Sequence, residues 1–529
     1  MSAFRRHTGG DARHLGRPAG LRGPVTLALA TGLLFGFPDS AFRVEQYATV
    51  EQSAFQHVPV VMVLFDELPL ASLMNEEGDV DPVLFPNFSR LQSESLWLRN
   101  ATSVGGFTAQ ALPGLLSGKN PDPDLTASAQ AQPHNVFTLL GEAYDIRGVD
   151  NVHDFCVVQG CDATAETTQG AGLPGFGFFP RSGRGGEFVS FLQLIEERRQ
   201  PRFYFLHSVM PHYPWRYLPS GQRYLEVDPI PGEVELPGRG RGWGPDRWLV
   251  RQAYQRHLMQ TVLVDRMLGA LMQKLQEEGI YEETLLVIAA DHGISFKPAM
   301  AKRWIRPQTT GSVLSIPMFL KMPGQEHGRI SDLPVETIDL LPTVADALNL
   351  SRVWDDLDGH SALDGSIELD RVRRVEGLYL DPRGREKYEI VKEKYEMLDL
   401  DPGTEDLFDI GPGRSEILLG RSLDDLVLGS PTGAAARVPH RATYERSSPQ
   451  ELVFPALLEG TIRGLDGPER RIVAAAVNGR IAAVTRTYRD GGETNFYCML
   501  PPSVFGAPPN RLALYLVDDL DTPALTPLG

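Results

Sequence analysis

The chain has 529 residues, more than one hydrophobic core usually supports, so a large domain and at least one smaller module are expected. Its 42% hydrophobic and 22% charged residues are an ordinary globular composition, which sets disorder aside as the default. With 68 acidic against 51 basic side chains, the formal net charge of −17 repels phosphate backbones and anionic lipid surfaces, so no nucleic-acid partner is expected.

Residues 1–23 hold Arg5, Arg6, Arg13, Arg17 and Arg22, the one place where basic charge collects. They precede "VTLALATGLLFGF", Val25 to Phe37, a run that Pro24 and Pro38 bracket within residues 24–38. A spanning helix needs about 20 apolar residues and an export-signal core about 7 to 15, so the run predicts a signal. The following "FPDSAF" lacks a clean small-x-small cleavage site, which leaves a short uncleaved membrane anchor open. In either case the basic flank stays in the cytoplasm and the rest is expected to be exported, periplasmic or membrane-anchored, the alternative being a buried helix of a cytosolic protein. Cys156 and Cys161 in "DFCVVQGCDA" would close a small disulfide loop in an oxidising compartment, which agrees with export.

After a connector at residues 39–56, "VPVVMVLFDE" is a continuous apolar run ending on two carboxylates, the pattern of a strand buried on both faces of a parallel sheet. "FPNFSRLQSESL" predicts a helix, "DIRGVD" a strand, "EFVSFLQLIEERR" a helix and "RFYFLHSVM" a strand. From Val250 to Glu278 the apolar positions keep a helical period, and "ETLLVIAADHG" follows as another buried strand. "SIPMFLKMPG" is a further strand and "LPVETIDLLPTVADALNL" a helix. This alternation predicts an α/β fold with a mainly parallel sheet sandwiched by helices over residues 57–410. "REKYEIVKEKYEMLDL" looks like alternating strand or hairpin material, residues 411–447 like a Gly- and Pro-rich linker, and residues 448–529 like a small β-sandwich with an Asn478-Gly479 hairpin turn.

Four stretches at predicted strand ends or turns carry hard-metal ligand types: Asp66 and Glu67 in "LFDELP", Thr108 in "GGFTAQALPGLLSG", His207 and His212 in "HSVMPHYPW", and Asp291 with His292 in "AADHGISF". Singly, each has a structural reading as a helix cap or a satisfied core residue. Together, at one edge of one sheet, they converge on a site for a divalent cation. A Thr hydroxyl is a poor nucleophile until a metal lowers its pKa, and a helix starting at Thr108 would also aim the N–H groups of Ala109 and Gln110 at a tetrahedral anion. Thr108 is therefore expected to be a helix cap and a nucleophile at once.

From about Val58 to Leu363 the motifs "VVMVLFDELP", "TAQALPGLLSG", "PHYPW", "ADHG" and "IPMFLKMPG" make the chain similar to the sulfatase-like branch of the alkaline phosphatase superfamily. The resemblance implies one divalent ion (zinc, manganese or calcium) held by Asp66, Thr108, Asp291 and His292, with Glu67 as a second acidic ligand. It implies a covalent intermediate on Thr108, and places His212 at the substrate anion or the leaving group, with His207 as a further substrate contact. The family's lysine has no clear counterpart, so Lys297, Lys302 and Arg303 are the candidate anion contacts.

Sulfatases of that branch carry Cys or Ser at the nucleophile, matured to formylglycine, and Thr cannot form that aldehyde. Thr108 is instead similar to the nucleophile of envelope phosphoglycerol and phosphoethanolamine transferases. The expected function is hydrolysis or transfer of a phosphate or sulfate ester of an envelope glycan or lipid. The alternatives are a catalytically lapsed polysaccharide-binding envelope protein and a sulfuric ester hydrolase releasing sulfate. Specificity is expected in the Gly/Pro-rich loops Gly160 to Gly186 and Pro219 to Trp248, and the aromatic residues of "PHYPWRYLPSGQRY" either stack on sugars or pack in the core.

Overall fold

In the computed structural model, residues 58–149, 155, 184–197, 200–225, 229–350, 353–400, 403–404, 406–465, 467, 469–520 and 523–529 are described. Both the N-terminal signal or anchor expectation and the Cys156–Cys161 disulfide fall outside them. Of the two compact units in the chain, Met1–Ala41 lies outside the described residues and Phe42–Gly529 contains all of them. Among the described residues no helix is long and apolar enough to cross a membrane.

The main sheet has seven strands: β1 (Val60–Asp66), β2 (Leu96–Leu98), β3 (Asp145–Val149), β4 (Arg202–Pro211), β5 (Leu285–Ala290), β6 (Met318–Lys321) and β7 (Arg329–Ser331). Their spatial order is β3-β4-β1-β5-β6-β2-β7. β1 pairs in parallel with β4 and β5, and β3 with β4, so four strands deliver their C-terminal ends to one edge. β6 runs antiparallel to both its neighbours, so the sheet is mixed, although mainly parallel. Every residue of β1, β5 and β6 is buried, which is why these strands read as unbroken apolar runs.

Helices α1 (Pro86–Glu94), α2 (Thr108–Ser117), α3 (Arg184–Leu194), α4 (Arg247–Glu277), α5 (Leu340–Ala347) and α6 (Glu386–Leu398) accompany the sheet. α4 begins at Asp246, whose carboxylate accepts from the Trp248 N–H at 3.1 Å. The start of α1 has no side-chain cap of its own. Asp265 of α4 supplies one, accepting from the N–H groups of Asn87 and Phe88 at 3.0 and 2.8 Å.

The expectation of strands over "REKYEIVKEKYEMLDL" is corrected: Glu386–Leu398 is a helix. Its inward positions, Lys387, Val391, Lys394, Tyr395 and Leu398, follow a helical period, but two of them are lysines, which breaks the hydrophobic pattern. Toward the C-terminus the chain forms a five-stranded sheet (Val427–Leu428, Ala524–Pro527, Leu512–Val517, Ile472–Val477, Arg480–Arg486) and a four-stranded sheet (Ala435–Arg437, Leu457–Arg463, Glu493–Met499, Tyr488–Asp490). Asn478 and Gly479, both at positive φ (50° and 79°), close the predicted hairpin between Val477 and Arg480. One strand of each sheet comes from the 411–447 stretch, and buried residues of these sheets share a continuous core with β1.

Candidate active site

Asp66 is the last residue of β1, where the register with β4 shifts between Phe65 and Asp66. Asp291 follows the end of β5, and its Oδ1 accepts from the N–H groups of Glu67 (3.2 Å) and His292 (2.6 Å), which stitches two strand ends together. Gly293 must lack a side chain, because a Cβ there would lie 2.2 Å from the Ser312 carbonyl. The Asp-His-Gly run thus gives a fully buried carboxylate, a fully buried imidazole and the close backbone approach that holds them.

His292 Nδ1 donates to the Gly293 carbonyl at 2.9 Å, since that oxygen can only accept. Its Nε2 therefore faces Asp66 Oδ1 at 3.7 Å, Asp291 Oδ2 at 3.6 Å and Thr108 Oγ1 at 3.3 Å. Burial holds the ring's pKa below the usual range, so Nε2 presents a lone pair. Thr108 Oγ1 also donates to Asp66 Oδ1 at 3.4 Å.

The two carboxylates form a pair with no lysine or arginine within 4.0 Å among the described residues. Burial, then the charge of Asp291, pushes Asp66 up to about 6. Burial pushes Asp291 up to about 7 against the hydrogen bonds of the Glu67 and His292 amides. Asp291 Oδ2 has no hydrogen-bond partner among the described residues. Two oxygens, a hydroxyl and an imidazole lone pair that converge in this way fit a divalent cation, which would hold both carboxylates ionised. His207, expected as a substrate contact, lies among these ligand atoms: Asp66, His207 and Asp291 each offer one within 4.8 Å of the others.

Glu67, expected as an acidic ligand, is turned elsewhere. Its Oε1 accepts from Arg303 Nε at 2.7 Å, and its Oε2 accepts from the Tyr213 N–H at 3.2 Å. Burial would raise its pKa, but Arg303 and His212 outweigh that and hold it well below the carboxylate range. Glu67 has a φ of 64°, a left-handed conformation uncommon outside glycine, and His257 on α4 braces it by donating Nε2–H to the Glu67 carbonyl at 3.4 Å. Burial pushes His257 down to about 4, which keeps it neutral in that role.

His212 Nε2 accepts from Arg303 Nη2, and its Nδ1 donates to the Tyr213 carbonyl. Arg184 Nη1 donates to the His212 carbonyl at 2.5 Å, and the charges of Asp66 and Glu67 reach it, although burial lowers its pKa. Arg303 and Arg184 thus form a cationic wall facing the acidic cluster, with His212 between them. Lys302, expected beside Arg303, is not part of it: its ammonium pairs with Glu233 at 2.7 Å and lies 4.5 Å from the centre of the Trp243 ring. Lys297 pairs with Glu393 at 2.7 Å. Trp215, Tyr217 and Tyr224 are buried, which assigns those aromatics to the core.

Thr108 is the first residue of α2, but Phe107 holds the cap position and no side chain caps the helix. The cap expectation for Thr108 is corrected accordingly: its hydroxyl is engaged by Asp66 and His292 instead. Gln110, expected to offer its N–H to an anion, donates it to the Phe107 carbonyl at 2.9 Å. Arg184 and His257 were not found from the sequence. Arg184 stands alone in a glycine-rich stretch, and His257 sits in a helix whose apolar spacing concealed it.

A family model described as Sulfatase matches residues 186–350. Over 169 residues the chain is 24% identical to an endo-4-O-sulfatase of Bacteroides thetaiotaomicron, covering 30% of this chain and 32% of that protein. Over 111 residues it is 22% identical to an ulvan-active sulfatase of Formosa agariphila, covering 21% of this chain and 22% of that protein. The chain thus spans a third or less of the length of these curated relatives. A phosphonate monoester hydrolase of Agrobacterium radiobacter aligns at 17% identity over 58% of this chain and 76% of its own, with a TM-score of 0.41. The matched family segment contains His207, His212, Asp291 and His292, and the geometry above joins Asp66 and Thr108 to it. Residues 186–350, at the heart of the α/β fold, are thus similar to the Sulfatase family.

Proposed function

We propose that the chain is a metal-dependent enzyme that hydrolyses or transfers a phosphate or sulfate ester through attack by Thr108. The observation that carries this reading is the half-buried Thr108 hydroxyl, 3.3 Å from His292 Nε2 and 3.4 Å from Asp66 Oδ1. Held by Asp66, Thr108, Asp291 and His292, with His207 beside them, a divalent cation would acidify the hydroxyl and polarise an ester oxygen. Asp66 accepts the hydroxyl's hydrogen bond, so it and the His292 Nε2 lone pair are the two acceptors within reach of its proton. On the other side Arg303 holds the ester anion, His212 accepts from its Nη2 and orders it, and Glu67 keeps it aligned and charged.

The names of the curated relatives, both sulfatases, support an anionic ester as substrate. Because Thr cannot be matured to formylglycine, release of sulfate by that route is not part of this reading. The basic and apolar segments at residues 1–38 support export and membrane attachment, with an envelope glycan or lipid as the ester's bearer. A lapsed polysaccharide-binding role would give the convergent ligand set no purpose, and a purified protein that binds neither Mn²⁺ nor Zn²⁺ would favour it.

The test uses the purified full chain with Mn²⁺ or Zn²⁺ on an aryl phosphodiester and an aryl sulfate. Thr108→Ala is expected to lower turnover about 10³-fold or more with an unchanged circular dichroism spectrum. Unchanged turnover refutes the assignment.

A further inference from the structure

Loop residues 297–308, which carry Arg303 into the active site, also line a cleft of about 300 Å³ walled by Arg239, Met300, Trp304, Arg306 and Gln308. Arg239 stands at the exposed turn of a hairpin, Glu233–Leu236 with Gly240–Trp243, and the loop is laced to that hairpin. The Trp243 N–H donates to the Met300 carbonyl at 2.9 Å and the Lys302 N–H to the Arg241 carbonyl at 3.3 Å. Two guanidinium groups lie on one indole: the central carbon of Arg306 is 3.4 Å from the Trp304 ring centre and that of Arg239 is 4.0 Å away.

Neighbouring cations are all satisfied by carboxylates: Lys297 by Glu393, Lys302 and Arg241 by Glu233, and Arg303 by Glu67. Arg239 and Arg306 have no carboxylate within 4.0 Å among the described residues, and Arg306 Nη1 donates to the Ile305 carbonyl at 2.9 Å. Stacking on Trp304 pre-orients both and leaves their N–H edges open for an oxyanion.

The loop that lines the cleft also reaches the reacting groups through Arg303, the neighbour of Trp304. Arg303 lies 5.8 Å from the centre of the Phe107 ring, next to Thr108, and a Cβ on Gly106 would come within 2.8 Å of the Arg303 carbonyl. We infer that Arg239, Trp304 and Arg306 form a second anion-binding subsite, which holds a further sulfate or phosphate group of a substrate that carries several. This rests on the reading of Thr108 as the reaction centre, and it narrows the substrate class to multiply anionic esters.

The test measures binding calorimetrically on the full chain carrying Thr108→Ala, so that no turnover intervenes. The probes are dextran sulfate oligosaccharides and, in a parallel arm, linear inorganic polyphosphate, each against uncharged dextran. Adding Arg239→Ala with Arg306→Ala is expected to weaken binding of at least one polyanion about tenfold or more. Arg463→Ala, an exposed arginine on the C-terminal sheet, is expected to leave binding unchanged. Arg239→Glu alone, at the exposed hairpin turn, repeats the test without altering the loop. The arm that responds identifies the anion. Equal binding by the parent and the arginine variants, an equal loss with Arg463→Ala, or no preference of either polyanion over dextran overturns the subsite. Should Thr108→Ala fail to impair aryl-ester turnover while the arginine variants still lose binding, the reaction centre is wrong and the subsite stands.

Discussion

Thr108 opens its helix without capping it, and Glu67 follows Asp66 without facing the atoms that could hold a metal ion. Both follow from where neighbouring groups lie. The Thr108 hydroxyl is taken by Asp66 and His292, while the carboxylate of Glu67 is drawn to Arg303 and the Tyr213 amide. Glu67 is 1% exposed, so its charge depends on that guanidinium. Arg303→Met leaves a buried carboxylate without its main partner and is expected to cost about 3 kcal/mol or more of stability, read from urea unfolding. A loss within error of zero would show that Glu67 is compensated elsewhere. At this scale Asp66, Thr108, Asp291 and His292 were legible because strand ends and a Gly-Gly turn announce them. Arg184 and His257 were not, because nothing in residue type or spacing says which way a lone side chain points, and the same holds for the turn of Lys302 toward Glu233.

At the scale of elements, the buried strands were legible from unbroken apolar runs, and the antiparallel direction of β6 was not, since a short strand buried on both faces has no pattern that encodes direction. α6 was misread because Lys387 and Lys394 occupy inward positions. The Lys394 ammonium donates to the Met74 carbonyl at 2.5 Å, whereas that of Lys387 has no hydrogen-bond partner among the described residues and lies beside the Arg99–Asp332 ion pair. Burial pushes Lys387 from 10.5 down to about 7. Between those values the unfolded chain holds a proton that the folded chain lacks, so this lysine makes stability rise with pH across that window. Below it, the cost of a buried charge is fully present. Lys387→Met is expected to stabilise the protein at pH 6 and to flatten its rise in stability toward pH 10, read from urea midpoints at a series of pH values. An unchanged slope would mean that the ammonium finds an anionic partner.

For the whole molecule, the α/β architecture and the β-rich end were both readable, since each shows in periodicity and turn residues. Their joint core was not, because contacts between distant stretches leave no local mark. Gln252 on α4 donates to the Tyr497 carbonyl at 2.7 Å and to Thr485 Oγ1 at 3.0 Å, while the Tyr497 hydroxyl donates to the Leu249 carbonyl at 3.3 Å. Buried apolar residues run without a break from β1 to Leu458 and Phe496. Scanning calorimetry is therefore expected to show one unfolding transition for α/β and β-rich parts together, and two well-separated transitions would show that the parts fold independently.

The central claim, that Thr108 carries the reacting group, is tested most directly by trapping. The full chain, loaded with Mn²⁺ or Zn²⁺, is mixed with an aryl phosphodiester or aryl sulfate, quenched in acid and digested for mass spectrometry. The account predicts one added phosphoryl-ester or sulfuryl group on Thr108, absent from Thr108→Ala. Turnover of the ester with Thr108 unmodified at every quench time, or the group on another residue, would contradict it.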